Sequence, residues 1–252
     1  IIFYFILTTT MTKPKLLVLY VFHIYNERVR HFINKCIFED DDVDFVIISN
    51  DKANINMVNV PNFKNVRCLF RDNIGYDFGG WSDALLSTNL YEQYENFIFV
   101  NSSVIGPFIP PYCKLKWTDI YVNGLRGDVK LFGSTINTIT QPLTLSHVQS
   151  YIFSMDKTTL QYLIKCEIFS TTKYAATFND AIWQKEVAMS RKIIENNWNI
   201  GSLLPMYDGV DFTFANKKPA DYNIAFLDDI MYPRFKNSLW NEYQLVFIKG
   251  NR

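Results

Sequence analysis

Two neighbouring stretches decide how this chain is read: Arg71-Asp-Asn73-Ile-Gly75-Tyr-Asp77-Phe-Gly79-Gly80, and then Phe97-Ile-Phe-Val-Asn101-Ser102-Ser103. The first is a charged, glycine-bearing loop that opens a helix. The second is an apolar strand that stops abruptly on small polar residues. Open α/β sheets bind ligands just outside the carboxyl ends of their strands. A polar loop and a polar strand end so close in sequence therefore mark the edge where a site is expected.

Outward from this segment the pattern is that of an α/β domain. Upstream, residues 16–22 form a continuous apolar run, as a buried parallel strand does. Residues 26–38 carry Val29, Phe32, Ile33 and Ile37 at helical spacing. Residues 39–42 are an acidic loop. Residues 44–49 read as a second buried strand ending in Asn50-Asp51, and 66–70 as a third. Residues 78–86 read as a helix with Asp77 as its N-cap, and 97–100 as a fourth strand. Downstream, strands are expected over 129–136 and 148–155, and helices over 160–164 and 180–196. The tail from Tyr207 is aromatic and loop-like, with a short apolar run at 245–248. Alternating strands and helices with short connections predict a Rossmann-like, mixed, mainly parallel sheet flanked by helices. With no linker or internal repeat, residues 11–252 are expected to form a single domain. Residues 1–10 read as an extension or the remnant of a longer chain.

Composition narrows the function. The chain has 252 residues, 48% of them hydrophobic, with Lys+Arg 25 balancing Asp+Glu 25. A neutral chain argues against binding nucleic acid by bulk electrostatics. Aromatics reach 16%, and Tyr and Trp beside polar loops suit sugars or bases bound through ring faces. Cys36, Cys68, Cys113 and Cys166 are scattered, without a Cys-x-x-Cys pair or a histidine partner. They read as small buried hydrophobes in a reducing, cytoplasmic setting, the chain being free, peripheral to membranes or part of a longer protein. No transmembrane segment is evident: residues 1–7 are apolar but far too few to span a bilayer.

The polar residues have competing readings. Asp51 can accept the imide N–H of a base, or make an Asx turn. His23, just past the first strand, lies where a base can stack. Neither the Walker loop nor G-x-G-x-x-G is present. Gly75 allows a turn that a Cβ would resist. Asn73 and Asp77 can bond ribose or sugar hydroxyls, and Arg71 suits a diphosphate or a surface ion pair. His147 is either catalytic or a cap. A carboxylate near a sugar hydroxyl can act as general base. Asp180 can fill that role or cap its helix, and Glu186 can fill it or lie solvated.

Taken together, several segments resemble the GT-A type of glycosyltransferase, and most closely the rhamnan-synthesis F-like family with its relatives in large DNA viruses and microbial eukaryotes. The resembling elements are Asn73-Ile-Gly75-Tyr-Asp77-Phe-Gly79 and Phe99-Val-Asn101-Ser102-Ser103-Val-Ile-Gly106-Pro107-Phe108. Further matches are Leu131-Phe-Gly133-Ser134-Thr135-Ile136, His147-Val-Gln149-Ser150, Glu186 with Ser190, Asn197-Trp198, and the closing Val246-Phe-Ile-Lys249-Gly-Asn251-Arg252. The resemblance implies a GT-A-like fold and a transferase of hexosyl or deoxyhexosyl type acting in polysaccharide biosynthesis. A nucleotide-sugar donor (a UDP, dTDP or GDP sugar) would occupy residues 14–110 and a glycan acceptor 111–252. It also implies donor contacts from His23, Asp51, Arg71, Asn73, Gly75, Asp77, Asn101, Ser102 and Ser103, diphosphate contacts from Lys249 and Arg252, and Glu186 as base with Asp180 as alternative. Many such enzymes hold Mn²⁺ or Mg²⁺ with an Asp-x-Asp at the strand end. Here Asn101-Ser102-Ser103 stands instead. A tightly held metal is therefore not expected, and no other cofactor is implied. The alternatives are a non-catalytic nucleotide- or carbohydrate-binding domain of the same fold, and an assembly protein using its exposed aromatics.

Overall fold

Strand β1 (Leu16–Phe22) is buried along its whole length, which explains its unbroken apolar sequence. Its side chains alternate between the two faces of a sheet. Leu17, Leu19 and Val21 enter one core with Trp81, Phe99 and Phe153. Val18, Tyr20 and Phe22 enter another with Phe32 and Trp117. A strand with core on both sides has no polar face to show. The computed structural model describes residues 15–138, 143–222, 224 and 241–250. The expected extension 1–10 and Arg252 lie outside these.

Along the chain, β1 is followed by α1 (Glu27–Cys36), whose N-cap Asn26 accepts from the N–H groups of Arg28 and Val29. Then come β2 (Val43–Ser49), β3 (Val66–Phe70), α2 (Tyr76–Leu86), β4 (Asn96–Asn101), β5 (Val104–Ile105) and α3 (Trp117–Asn123). The second half supplies β6 (Val129–Gly133), β7 (Ile136–Asn137), β8 (His147–Val148), β9 (Ile152–Asp156) and α4 (Lys157–Lys165). One continuous helical stretch then runs through α5 (Phe178–Asp180), a π-helical segment (Ala181–Val187) and α6 (Ala188–Glu195). It is followed by β10 (Asn199–Ser202), α7 (Glu242–Leu245) and β11 (Ile248–Lys249).

Seven strands form one sheet in the order β10-β6-β9-β4-β1-β2-β3. β1 pairs parallel with β2 and β4, β2 with β3, and β6 with β10. β9 runs antiparallel to both β4 and β6. The expected mixed, mainly parallel sheet with flanking helices is therefore what forms, as one domain spanning both halves of the chain. Because β9 is reversed, the carboxyl ends of β4 and β6 share an edge with the start of β9.

Buried polarity ties the far edge together. Asp44 of β2 accepts from the Tyr94 hydroxyl at 2.6 Å and pairs with Lys15 Nζ at 2.8 Å and Arg67 Nη2 at 3.2 Å. Burial pushes its carboxyl up. The hydrogen bonds from Lys15 and Tyr94, with the charges of Lys15 and Arg67, outweigh burial and hold it below its ordinary value.

Four sequence expectations are corrected. α2 begins at Tyr76 with Gly75 as its cap, so Asp77 sits inside the first turn and not at the N-cap. The strand expected over 129–136 breaks after Gly133. There Ser134 Oγ donates to Leu245 O at 2.9 Å and Thr135 Oγ1 to Gln149 Oε1 at 2.7 Å, so these buried polar groups are bonded outside the sheet ladder. The strand expected over 148–155 divides at Gln149–Tyr151 for the same reason, with Gln149 N–H donating to Thr135 O. Of the cysteines, only Cys36 is buried, and Cys68 is exposed on the edge strand β3.

Candidate functional site

The carboxyl edge of the sheet collects most of the expected residues. His23 follows β1, Asn50 and Asp51 follow β2, Arg71 follows β3, and Asn101 closes β4. Asn50 connects them. It is 2% exposed. Its carbonyl meets His23 Nδ1 at 3.0 Å, its Nδ2 donates to Tyr76 O at 3.0 Å, and its Oδ1 accepts from Arg71 Nη1 at 2.7 Å. Asn50, and not its neighbour Asp51, is the residue that joins these segments. The available signal was an asparagine ending an apolar strand, the same arrangement as Asn101.

Arg71 is buried and turned inward. Besides Asn50, it donates from Nε to Asp83 Oδ2 and from Nη2 to Ile74 O, each at 2.7 Å. Its guanidinium braces the loop that carries Asn73 and Gly75. Gly75 has φ +76°, and a Cβ there would stand 2.7 Å from the Tyr174 ring. Tyr174 in turn donates to Asp83 at 2.6 Å. Tyr76 also has a positive φ, +57°, so two successive left-handed residues set the direction in which α2 leaves the loop. Gly80 lets α2 lie on the strands, since a Cβ would come within 2.8 Å of Val21.

With this bracing in place, Asn73 is exposed and Asp77 half-buried. Asp77 accepts from Asn101 Nδ2 at 3.0 Å, and Asn101 Oδ1 accepts from Ser103 N–H at 2.9 Å. Ser102 is half-buried at the turn. Asp51 accepts from Ala53 N–H at 2.9 Å, the Asx-type arrangement. Lys249 lies on β11 opposite Val104, and Gly250 N–H donates to Ser103 O at 2.8 Å, which brings β11 and Gly250 beside the same turn.

The second half reaches this edge through β9. Asn101 N–H donates to Tyr151 O at 3.0 Å, and the preceding Ser150 N–H donates to Glu186 Oε1 at 3.1 Å. His147 Nε2 stands 3.9 Å from the same oxygen, with its Nδ1 against Leu145 O at 2.8 Å. Glu186 therefore joins the edge that carries Asp77. Lys185 fixes the segment from behind, its buried ammonium donating to the carbonyls of Glu167 and Lys173 at 2.7 and 2.8 Å. Burial lowers its pKa. Asp180 is used differently. It accepts from Thr177 N–H, Thr177 Oγ1 and Gln184 Nε2 at 3.0, 2.8 and 2.7 Å, in a capping box with Thr177 as N-cap.

The strand end offers a divalent cation one carboxylate, Asp77, beside an asparagine amide that is bonded on both sides. Among the described residues no group of three or more His, Cys, Asp or Glu is placed to hold a metal ion. Hard cations held by protein alone take several oxygen ligands, so this set does not fit such a site. No helix of the described residues is long and apolar enough to cross a membrane.

Residues 45–239 match the family described as Rhamnan synthesis protein F. Virulence protein VirA of Vibrio anguillarum is 33% identical over 89 residues, which is 34% of this chain and 24% of that protein. The VirA of Vibrio anguillarum strain ATCC 68554 / 775 gives the same figures. The chain thus spans about a quarter of the length of these curated relatives. A solved mannosyltransferase, PcManGT from Pyrobaculum calidifontis in complex with GDP-Man and Mn²⁺, matches at a TM-score of 0.47 and 9% identity. The match covers 76% of this chain and 55% of the mannosyltransferase.

Proposed function

Because this chain belongs to the rhamnan synthesis protein F family, we propose that it is a glycosyltransferase moving a sugar from a nucleotide-diphosphate donor to a glycan acceptor. The observation that carries the reading is the meeting of Asp77 and Asn101, from the first half, with Glu186, from the second, along one sheet edge. In this reading the donor, a UDP, dTDP or GDP sugar, lies across His23, Asp51, Asn73, Asp77 and the Asn101–Ser103 turn. Lys249 stands beside that turn to meet the diphosphate. Arg71 holds the loop in shape.

Glu186 is assigned as the general base. It takes the proton of the acceptor hydroxyl while that oxygen bonds to the anomeric carbon and the bond to the diphosphate breaks, releasing the nucleoside diphosphate. The engagement of Asp180 in its capping box favours Glu186 for this role. Removal of a general base typically costs 10²–10⁴-fold in rate. Glu186→Gln keeps the shape, so turnover should fall by about that factor with donor binding nearly intact, as read by product formation and calorimetry. Asp180→Asn should cost about 1 kcal/mol of stability and leave turnover near normal. Normal turnover in Glu186→Gln with an inactive Asp180→Asn would move the role to Asp180. Tight donor binding by the unaltered chain with neither transfer nor donor hydrolysis would favour a binding domain of the same fold.

A further inference from the structure

The segments that carry Asp77 and Glu186 also carry large apolar side chains that the core does not take in. Trp183 is 52% exposed, Phe178 43% and Ile74 53%. By contrast Trp81 and Trp117 are buried. Phe178 meets Tyr76 with ring centroids 6.3 Å apart and planes at 64°. Tyr76 directly precedes Asp77, and Trp183 shares a π-helical segment with Glu186. The exposed rings are therefore borne by the same two segments that bear Asp77 and Glu186. The backbone is irregular in both, with a positive φ at Tyr76 and the π-helical segment at Trp183. Such departures are retained most often where function requires them.

The polar residues beside these side chains indicate what they would bind. Ile74, Phe178 and Trp183 each stand next in the chain to an exposed neutral amide, Asn73, Asn179 and Gln184 respectively. A protein partner favours a continuous apolar contact with a charged rim. Ring faces interspersed with neutral amides match a sugar instead, which presents an apolar C–H face and a girdle of hydroxyls. Resting on the transferase reading above, we infer that Trp183 and Phe178, with Tyr76, form the platform on which the glycan acceptor stacks as its hydroxyl approaches Glu186.

The test uses an oligorhamnoside as probe, with tryptophan fluorescence and calorimetry as readouts. The unaltered chain should bind it. Trp183→Ala should weaken that binding about tenfold, as expected for one lost stacking contact, and Trp183→Phe should restore most of it. Binding of UDP, dTDP and GDP sugars should be the same in all three proteins. Equal oligorhamnoside affinity in the unaltered chain and in a Trp183→Ala, Phe178→Ala double variant would overturn the platform. So would a failure of the unaltered chain to bind the oligorhamnoside while it still binds a nucleotide sugar. Oligorhamnoside binding that depends on Trp183, with no nucleotide sugar bound, would support the platform and overturn the transferase reading.

Discussion

At the scale of single residues, a buried asparagine does more to build the site than the charged residues around it. Asn50 supplies a donor, an acceptor and a carbonyl to three different segments, and its burial leaves water no share in those bonds. Asp77 is the opposite case, a half-buried carboxylate that accepts from Asn101 and sits in the first turn of α2. If it bonds hydroxyls of the donor, Asp77→Ala should weaken nucleotide-sugar binding by roughly 1–3 kcal/mol in calorimetry. Unchanged affinity in a folded variant would remove Asp77 from the donor site. The same scale governs metal dependence. One carboxylate and an amide already bonded on both sides do not make a cation cage, so EDTA should leave donor affinity close to its value in Mn²⁺. A large loss in EDTA would show that other residues hold the ion.

At the scale of elements, the loop before α2 depends on a glycine for two separate reasons. Gly75 combines a left-handed backbone with close approach of Tyr174. Gly75→Ala adds about 1–2 kcal/mol of backbone strain and a contact that can be relieved only by moving a ring held by Asp83. The expected total loss is about 2–4 kcal/mol in chemical denaturation. Because α2 would be displaced at its start, donor binding should fall as well. Full stability in this variant would mean that Tyr174 yields freely and that the loop is not braced as described. The π-helical segment is the counterpart in the second half. Lys185 anchors it inward while Glu186, the next residue, meets Ser150.

At the scale of the whole molecule, stability should carry an acid signature. Asp44 joins β2 to Lys15, Arg67 and Tyr94. Asp156 caps α4 through Thr159 N–H and pairs with Lys130. Burial raises both carboxyls, but these partners outweigh it and leave both below their ordinary value. A carboxylate depressed on folding contributes stability above its unfolded pKa of about 4. That contribution is lost as pH falls through the folded value. The urea midpoint should therefore be steady near neutrality and drop below about pH 4. In an Asp44→Asn, Asp156→Asn variant the midpoint should start lower and fall less. An unchanged acid limb in that variant would place the signature on other groups.

Much of this was legible in the chain alone. β1, β2 and β4 declared themselves because a strand with core on both faces must be apolar throughout, and α1 because its apolar residues recur at the spacing of one helix face. The polar stops after those strands marked the edge of interest, since small oxygen- and nitrogen-bearing side chains following a core strand are costly unless they are used. Three things were settled only by tertiary structure. The direction of β9, which brings Ser150 and Glu186 to that edge, depends on pairings between segments more than fifty residues apart, and no local periodicity encodes it. The inward turn of Arg71 depends on Asp83 and Asn50 being within reach, whereas the sequence shows only a charge beside a loop. The separation of Asp180 from Glu186 follows from a capping box on one and a β9 backbone donor on the other. Local sequence sets which backbone states are cheap. Which polar groups end up facing one another is set by how the sheet closes around its core.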